Sequence, residues 1–508
     1  MAKEKQPAAP QDGDKYTRLA SNTVIFAISS FSSKLLTFVV QPLLTHVMKE
    51  TSVVGVSKLA SQCANLLIPF VSLGMSNAII RFGLDRRNDK KQVFTNGLLT
   101  ILLGYFLLLL CLPVIRLVPT ISDYLVYIYI YVLTSCLRTL CTQFVRSRQL
   151  NKLVAVDGIL CTFVTLMFYL LFLVVLDMGA AGYLLAIICG DMTSALFLFT
   201  VAGLGRYLDF GRLNRRLWRS MLKFSLPMIP AQISFWVINA SDLFFVKYLC
   251  EGYGGRTGDD WSGLLSTGYW MPTILNTLGL IFYEAWQLSA VTEETDREAF
   301  FTRIFRTYSG ILFCCAAGLI WLCQPMMHIF RENFYDAWQF VPFLTIAAIF
   351  TCFNQFFNSI YVVYKRSTNA LYTMLAGAVA NCFMNYFFIR WWGPVGATLA
   401  SFLGLFLVFV LRAVNTRGLL AVDFKPGRMA VVLALLVTEA LVLLFEAPFR
   451  HVFTTLITAF IIWYNWRSVW GMARLLLPRV LGGLGRRIVA FGDGLLARRR
   501  AARRKAKQ

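Results

Sequence analysis

The feature that most restricts this chain is the return of apolar runs near 20 residues from one end to the other. An α-helix of about that length is what crosses a hydrocarbon core. The polar stretches between the runs are short, so no sizeable soluble domain fits between them. A water-soluble fold of 508 residues would carry more than 15% charged and less than 57% hydrophobic residues. We therefore expect an all-α polytopic membrane protein of about 14 transmembrane helices. The expected spans are 20–42, 52–79, 93–115, 122–144, 153–176, 179–203, 224–248, 262–288, 307–329, 338–363, 369–389, 394–413, 429–446 and 450–466. The second and eighth are the least apolar. The polar opening, with Lys3, Lys5, Lys15 and Arg18, does not read as a cleavable signal peptide, so the run after it stays as the first span.

Lys and Arg set the orientation. With the N-terminus inside, the outer loops hold only Lys49, Arg116, Lys247, Arg256, Arg331, Arg390 and Arg450, and nearly all other basic residues fall inside. A miscounted span would invert this alternation beyond it. Both termini are thus expected in the cytoplasm of a bacterial plasma (inner) membrane. The net charge of +23 belongs to the anionic inner leaflet and does not read as nucleic-acid binding.

Six spans precede the basic loop at 204–223 and eight follow it. The two sides look repeated with an offset near 205 residues, and Leu73-Gly74 matches Leu278-Gly279. Parallel repeats would be related by a pseudo-two-fold along the membrane normal. The expected divisions are a cytoplasmic N-terminal tail 1–19, an N-lobe 20–203 (spans 1–6), a basic cytoplasmic inter-lobe loop 204–223 and a C-lobe 224–413 (spans 7–12). Two C-terminal spans at 414–466 and a basic amphipathic cytoplasmic tail at 467–508 complete the chain. The tail, from Trp466 onward, reads as an interfacial segment held by anionic inner-leaflet lipids.

Charges at membrane depth cost roughly 2.5–3.5 kcal/mol each by insertion scales, so they face a bundle interior or a wet cavity. Lys34, Lys58, Arg138, Asp191, Asp242, Glu284 and Glu439 are the candidates. Four spans carry polar stripes at helical spacing: Ser30, Lys34, Thr37 and Gln41; Lys58, Gln62, Asn65, Pro69, Ser72 and Ser76; Gln232, Asn239 and Asp242; Tyr269, Thr273, Asn276, Glu284 and Gln287. They fall in corresponding spans of the two repeats, which points to a hydrated cavity between lobes. Lys34 and Lys58, with Gln62 and Asn65 beside them, suit a phosphate or sugar headgroup. Asp242 and Glu284, with Asn239, suit an inter-lobe ion pair or a coupling proton or monovalent cation. Arg138 reads as snorkelling, and Asp191 and Glu439 as local partners. Thr373, Gly377, Asn381 and Asn385 read as a close-packing face. The twelve cysteines read as apolar fillers with Cys250 facing outward, and three scattered histidines give no metal site. No cofactor is expected.

Several stretches resemble one family. They are Ser225-Leu226-Pro227-Met228-Ile229-Pro230 with Trp236, Asn239 and Asp242, then Phe282-Tyr283-Glu284-Ala285-Trp286-Gln287-Leu288-Ser289-Ala290 ending in Glu293. Tyr361 followed by Lys365 is a third. Gly377, Asn381 and Asn385, followed by Gly393-Pro394-Val395-Gly396-Ala397 and Ala400, are a fourth. In the first half the match runs through Lys34, Pro42, Pro69, Gly74 and Ile79-Ile80-Arg81. Over roughly 20–465 the chain resembles the bacterial polysaccharide (oligosaccharide-lipid) flippases of the multidrug/oligosaccharidyl-lipid/polysaccharide exporter superfamily. The resemblance implies two six-helix lobes with two further C-terminal helices, a V-shaped cavity and alternating access. It also implies an undecaprenyl-pyrophosphate-linked oligosaccharide moved from inner to outer leaflet, for capsule, exopolysaccharide or another surface polysaccharide. Arg81 joins the headgroup-binding set through this match.

Fourteen spans also suit a lipid II flippase, but those usually carry several cavity arginines where this chain offers lysines. A multidrug extruder would want a carboxylate in the first lobe. A membrane enzyme of polysaccharide polymerisation would want substantial outer loops, and these are short, so no catalytic residues are expected. A non-transporting scaffold that binds the lipid precursor is the remaining alternative.

Overall fold

A computed structural model describes residues 38 and 40–480, except 86, 116–121, 213, 293–295 and 365, together with residue 490. The described chain is helical throughout its apolar runs. In the first half, residues 40–48 are helical, followed by α1 (Thr51–Ser72), α2 (Met75–Leu84), α3 (Lys90–Leu110), α4 (Leu125–Ser147), α5 (Asn151–Tyr169) and α6 (Gly179–Val201). A connector helix α7 (Arg215–Ser225) leads to α8 (Ile229–Leu249), α9 (Gly258–Gly268), α10 (Trp270–Thr292), α11 (Arg297–Met327) and α12 (Val341–Val363). The remainder is α13 (Ser367–Trp392), α14 (Val395–Thr416), α15 (Pro426–Leu444) and α16 (Arg450–Val480).

Among the described residues, eleven helical segments are long and apolar enough to cross a membrane. The weakly apolar second span, as α1, is one of them. The expected spans 262–288 and 450–466 are helical but not among the eleven, and 20–42 lies mostly outside the described residues. No helix boundary falls at residue 466, because α16 continues through to Val480. The tail beyond 480 lies outside the described residues, apart from residue 490.

The packing follows chain order. In the first half α4 and α5 both lie on α6, and in the second α13 lies on α8 and α14, and α12 on α10 and α14. α15 and α16 pack on α11, so the last two helices are an appendage to the second half. The second half is held by an aromatic core in which Trp286 stacks on Phe356 at 4.8 Å and Phe305 and Phe353 lie 5.1 Å apart. Such pairs add about 0.5–1.5 kcal/mol beyond area burial. The Trp286 indole donates to Ser359 Oγ at 2.9 Å, so its polar atom is satisfied at no loss.

Two breaks shape the seam between halves. α1 ends where Leu73 and Gly74 both take left-handed backbone angles (φ 46° and 64°), and a side chain on Gly74 would press on the Ser225 carbonyl. The matched Leu278-Gly279 does not repeat this, since both lie within α10 and Gly279 is packed closely on Cys352. The break in the eighth span comes earlier, at Tyr269 between α9 and α10.

Candidate functional site

The halves meet along α1. Near one end its backbone lies directly on α9, where Gly55 and Gly263 face each other and a side chain on either would overlap the opposing backbone. The Thr51 hydroxyl donates to Asp260 there, and Thr257 and Asp260 form a capping box that starts α9. Burial works to raise the Asp260 carboxyl, but its hydrogen bonds with Thr51 and Thr257 outweigh this and hold it below the ordinary carboxylate range. Asn333 donates to the Lys49 carbonyl at 2.6 Å, and the Trp270 indole donates to the Phe38 carbonyl at 2.8 Å while stacking on its ring. The end carrying residues 49–51 and 257–263 is therefore closed. Farther along α1, Trp236 of α8 donates to the Gln62 carbonyl at 3.0 Å.

Lys58 lies two turns into α1. Its ammonium donates to Gln41 Oε1 and to the Tyr183 hydroxyl, each at 3.1 Å, and sits over the Tyr183 ring. Both partners are neutral. Asn65 Oδ1 accepts from the Tyr131 hydroxyl at 3.4 Å, and Gln62 holds the seam through its backbone. Arg81, past the break, is exposed at the end of α2 with its guanidinium 4.3 Å over the Phe224 ring. Lys58, Gln62 and Asn65 thus share α1 as expected, and Lys34 lies outside the described residues.

The acidic set is arranged differently. Asp242 is fully buried inside the second half, where it accepts from the Tyr269 hydroxyl, the Leu243 amide at 2.9 Å and Ser401 Oγ at 3.4 Å. Its neighbour Ser241 donates to Asn381, which also accepts from Asn385 at 3.1 Å. Tyr269 therefore belongs to the Asp242 cluster and not to a separate stripe. Asn239 donates to its own helix at the Phe235 carbonyl. Lys58 and Asp242 take separate partners in this conformation. Glu284 is on α10, with its side chain outside the described residues.

Three charged groups were misread or passed over in the sequence. Arg138 does not snorkel: it pairs with Asp191 at 2.8 Å and donates through Nε to Ser194 at 3.1 Å. Ser194 in turn donates to Asp157 at 2.6 Å, a buried carboxylate on α5 not singled out before. Arg412, counted with an inner loop, is buried against the Asn354 carbonyl at 2.6 Å and Thr373 Oγ1 at 3.2 Å. A charge well inside an apolar run is the signal that marks Asp157. Glu439 is the local partner expected, accepting from Thr458 at 2.7 Å. Cys250 has a buried side chain, and the close approach of α13 to α14 runs through Gly377 and Gly404.

Long apolar helices, halves joined along a polar seam and charges kept at membrane depth together make the build of a multi-pass membrane transporter. The chain belongs to the polysaccharide biosynthesis protein family, whose profile matches residues 19–278. Its fold is similar to that of the lipid II flippase MurJ in an inward closed conformation (TM-score 0.67, 12% identity, 88% of this chain and 99% of that one). It is also similar to a mutant of the Vibrio cholerae MATE transporter VcmN (0.59, 12%, 80% and 98%). A third likeness is to a multidrug resistance MATE family transporter of the MOP superfamily, outward-facing (0.58, 14%, 81% and 98%). These likenesses show the exporter fold. Comparison with curated proteins finds no match.

Proposed function

We propose that the chain is a flippase that carries an undecaprenyl-pyrophosphate-linked oligosaccharide from the inner to the outer leaflet of the bacterial plasma membrane, by alternating access and without covalent chemistry. The observation that carries this reading is Lys58, an ammonium on the seam helix whose hydrogen-bond partners are neutral. Such a charge is costly at membrane depth unless an anion joins it, and a pyrophosphate is an anion of the right kind. Gln62, Asn65 and Arg81 extend the polar face the headgroup would follow, in place of the water it loses, and we assign Lys34 to the same headgroup-binding set. The lipid tail stays in hydrocarbon. Closure of the seam at Gly55 and Gly263 corresponds to the outer end, so this conformation would load from the cytoplasm, where both termini lie. Asp242, with Asn239 near it and Glu284 on α10, is placed to take the coupling proton or monovalent cation. The basic tail would rest on anionic inner-leaflet lipids.

The test is flipping of a fluorescent undecaprenyl-pyrophosphate-linked glycan by protein reconstituted in liposomes. Lys58→Gln should slow it by about tenfold or more, since a charge-assisted hydrogen bond is lost, while Lys58→Arg should keep most of the rate. Equal rates for wild type and Lys58→Gln would defeat the reading. Lipid II supplied in competition reports the alternative cargo directly.

A further inference from the structure

α4 presents Ser135, Arg138, Thr139, Thr142 and Gln143 to a cavity of about 190 Å³, and Asp191 of α6 completes its wall. Every one of these residues is polar, and the cavity is open on one side, with the Arg138 side chain 34% exposed. A charge count decides what fits. The Arg138 guanidinium is already matched by Asp191 at 2.8 Å, and Asp157 adds a second carboxylate through Ser194. A phosphate entering here would have to displace Asp191 and then sit beside two carboxylates, which is unfavourable in a low-dielectric interior. A small cation would meet the guanidinium instead.

A neutral ligand with several hydroxyls meets neither repulsion. Arg138 uses Nη1 and Nε in its bonds to Asp191 and Ser194 and has further N–H groups to give, and the Thr139 hydroxyl and Gln143 amide can donate as well. Asp191 and Gln143 can accept. Gln143 Oε1 is buried without a hydrogen-bond partner among the described residues, an acceptor left to be satisfied. A water occupies about 30 Å³ of liquid, so the cavity has the room of about six waters, close to one pyranose ring.

We propose that this cavity is a sugar-ring subsite that takes one neutral pyranose, its hydroxyls bonded to the Arg138–Asp191 pair and to Gln143. The proposal rests on the flippase reading only for where the sugar comes from, a ring of the lipid-linked glycan. The test uses full-length protein in nanodiscs and the methyl glycosides of glucose, galactose, mannose and N-acetylglucosamine, read by saturation-transfer NMR. At least one glycoside should show transfer that falls about tenfold in Gln143→Leu and falls in Thr139→Val, a change small enough to preserve the fold. No transfer for any of the four in wild type, or unchanged transfer in both variants, overturns the subsite. Binding of undecaprenyl pyrophosphate without sugar is measured in parallel, and Gln143→Leu should leave it intact. Wild-type protein that takes up a glycoside but not this lipid would sink the flippase reading while the subsite stands.

Discussion

Asp242 shows how much a single buried carboxylate can hold. Three donors converge on it, the Leu243 amide of its own helix α8, Tyr269 at the break between α9 and α10, and Ser401 of α14, so it ties that break and α14 to α8. Asp242→Ala would leave the Tyr269 hydroxyl and Ser401 without their acceptor. The expected loss is about 1–3 kcal/mol of stability, seen as a lower thermal midpoint in detergent. Asp242→Asn keeps the shape and removes the charge, so it should melt close to wild type yet lose the dependence of flipping on the imposed proton or sodium gradient. A gradient response unchanged in Asp242→Asn would remove Asp242 from the coupling role. Lys58, Asp191, Asp242 and Glu439 were legible from the sequence because insertion cost alone marks a lone charge in an apolar run, though Asp157 was passed over. Their partners were not: Arg138 meets Asp191 across 53 positions of chain, and Asp242 meets Ser401 across 159. Arg412 was misassigned because it lies near the end of its span, where an arginine in an apolar run looks like a loop charge.

At the scale of elements, the crossing of α1 and α9 is the most exacting contact between the halves. Gly55 and Gly263 have no room for a side chain, so Gly55→Leu must hold these helices apart. We expect that variant to insert and fold but to flip slowly, with the 49–51 and 257–263 end held open. A cysteine pair at Thr51 and Asp260, in a cysteine-depleted background, should cross-link readily and stop transport until reduced. Absence of cross-linking in the pair, or full transport by Gly55→Leu, would show that this crossing is not a gate. The spans themselves were readable because hydropathy needs only composition and length. The breaks were not readable. Leu73 is no helix breaker, yet its backbone is left-handed, and Gly74 beside it lies against the Ser225 carbonyl, a tertiary contact. The Leu-Gly match with 278–279 misled for the same reason: two identical pairs met different neighbours.

For the whole molecule, the second half carries an extra pair of helices on α11 and a basic tail beyond them. Removing the residues after Arg487 should reduce the amount of protein held in the membrane more than the flipping rate per molecule, measured by quantitative blotting beside the liposome assay. Unchanged abundance with lost transport would assign the tail a working part in the cycle. The connector between halves has its own consequence. It is fastened to the first half: from α7, Trp218 donates to Thr100 at 2.9 Å and Phe224 lies under Arg81, and ahead of α7 the Tyr207 carbonyl accepts from Thr95 at 3.1 Å. A segment so anchored travels with the helices it grips and cannot act as a slack tether. In the alternating access proposed above, rotation of one half against the other would fall on the short 3₁₀ turn Leu226–Met228, where Pro227 lacks the N–H of a helical hydrogen bond. Such a pivot would sit inside the seventh span, with the basic loop before it a handle on one arm.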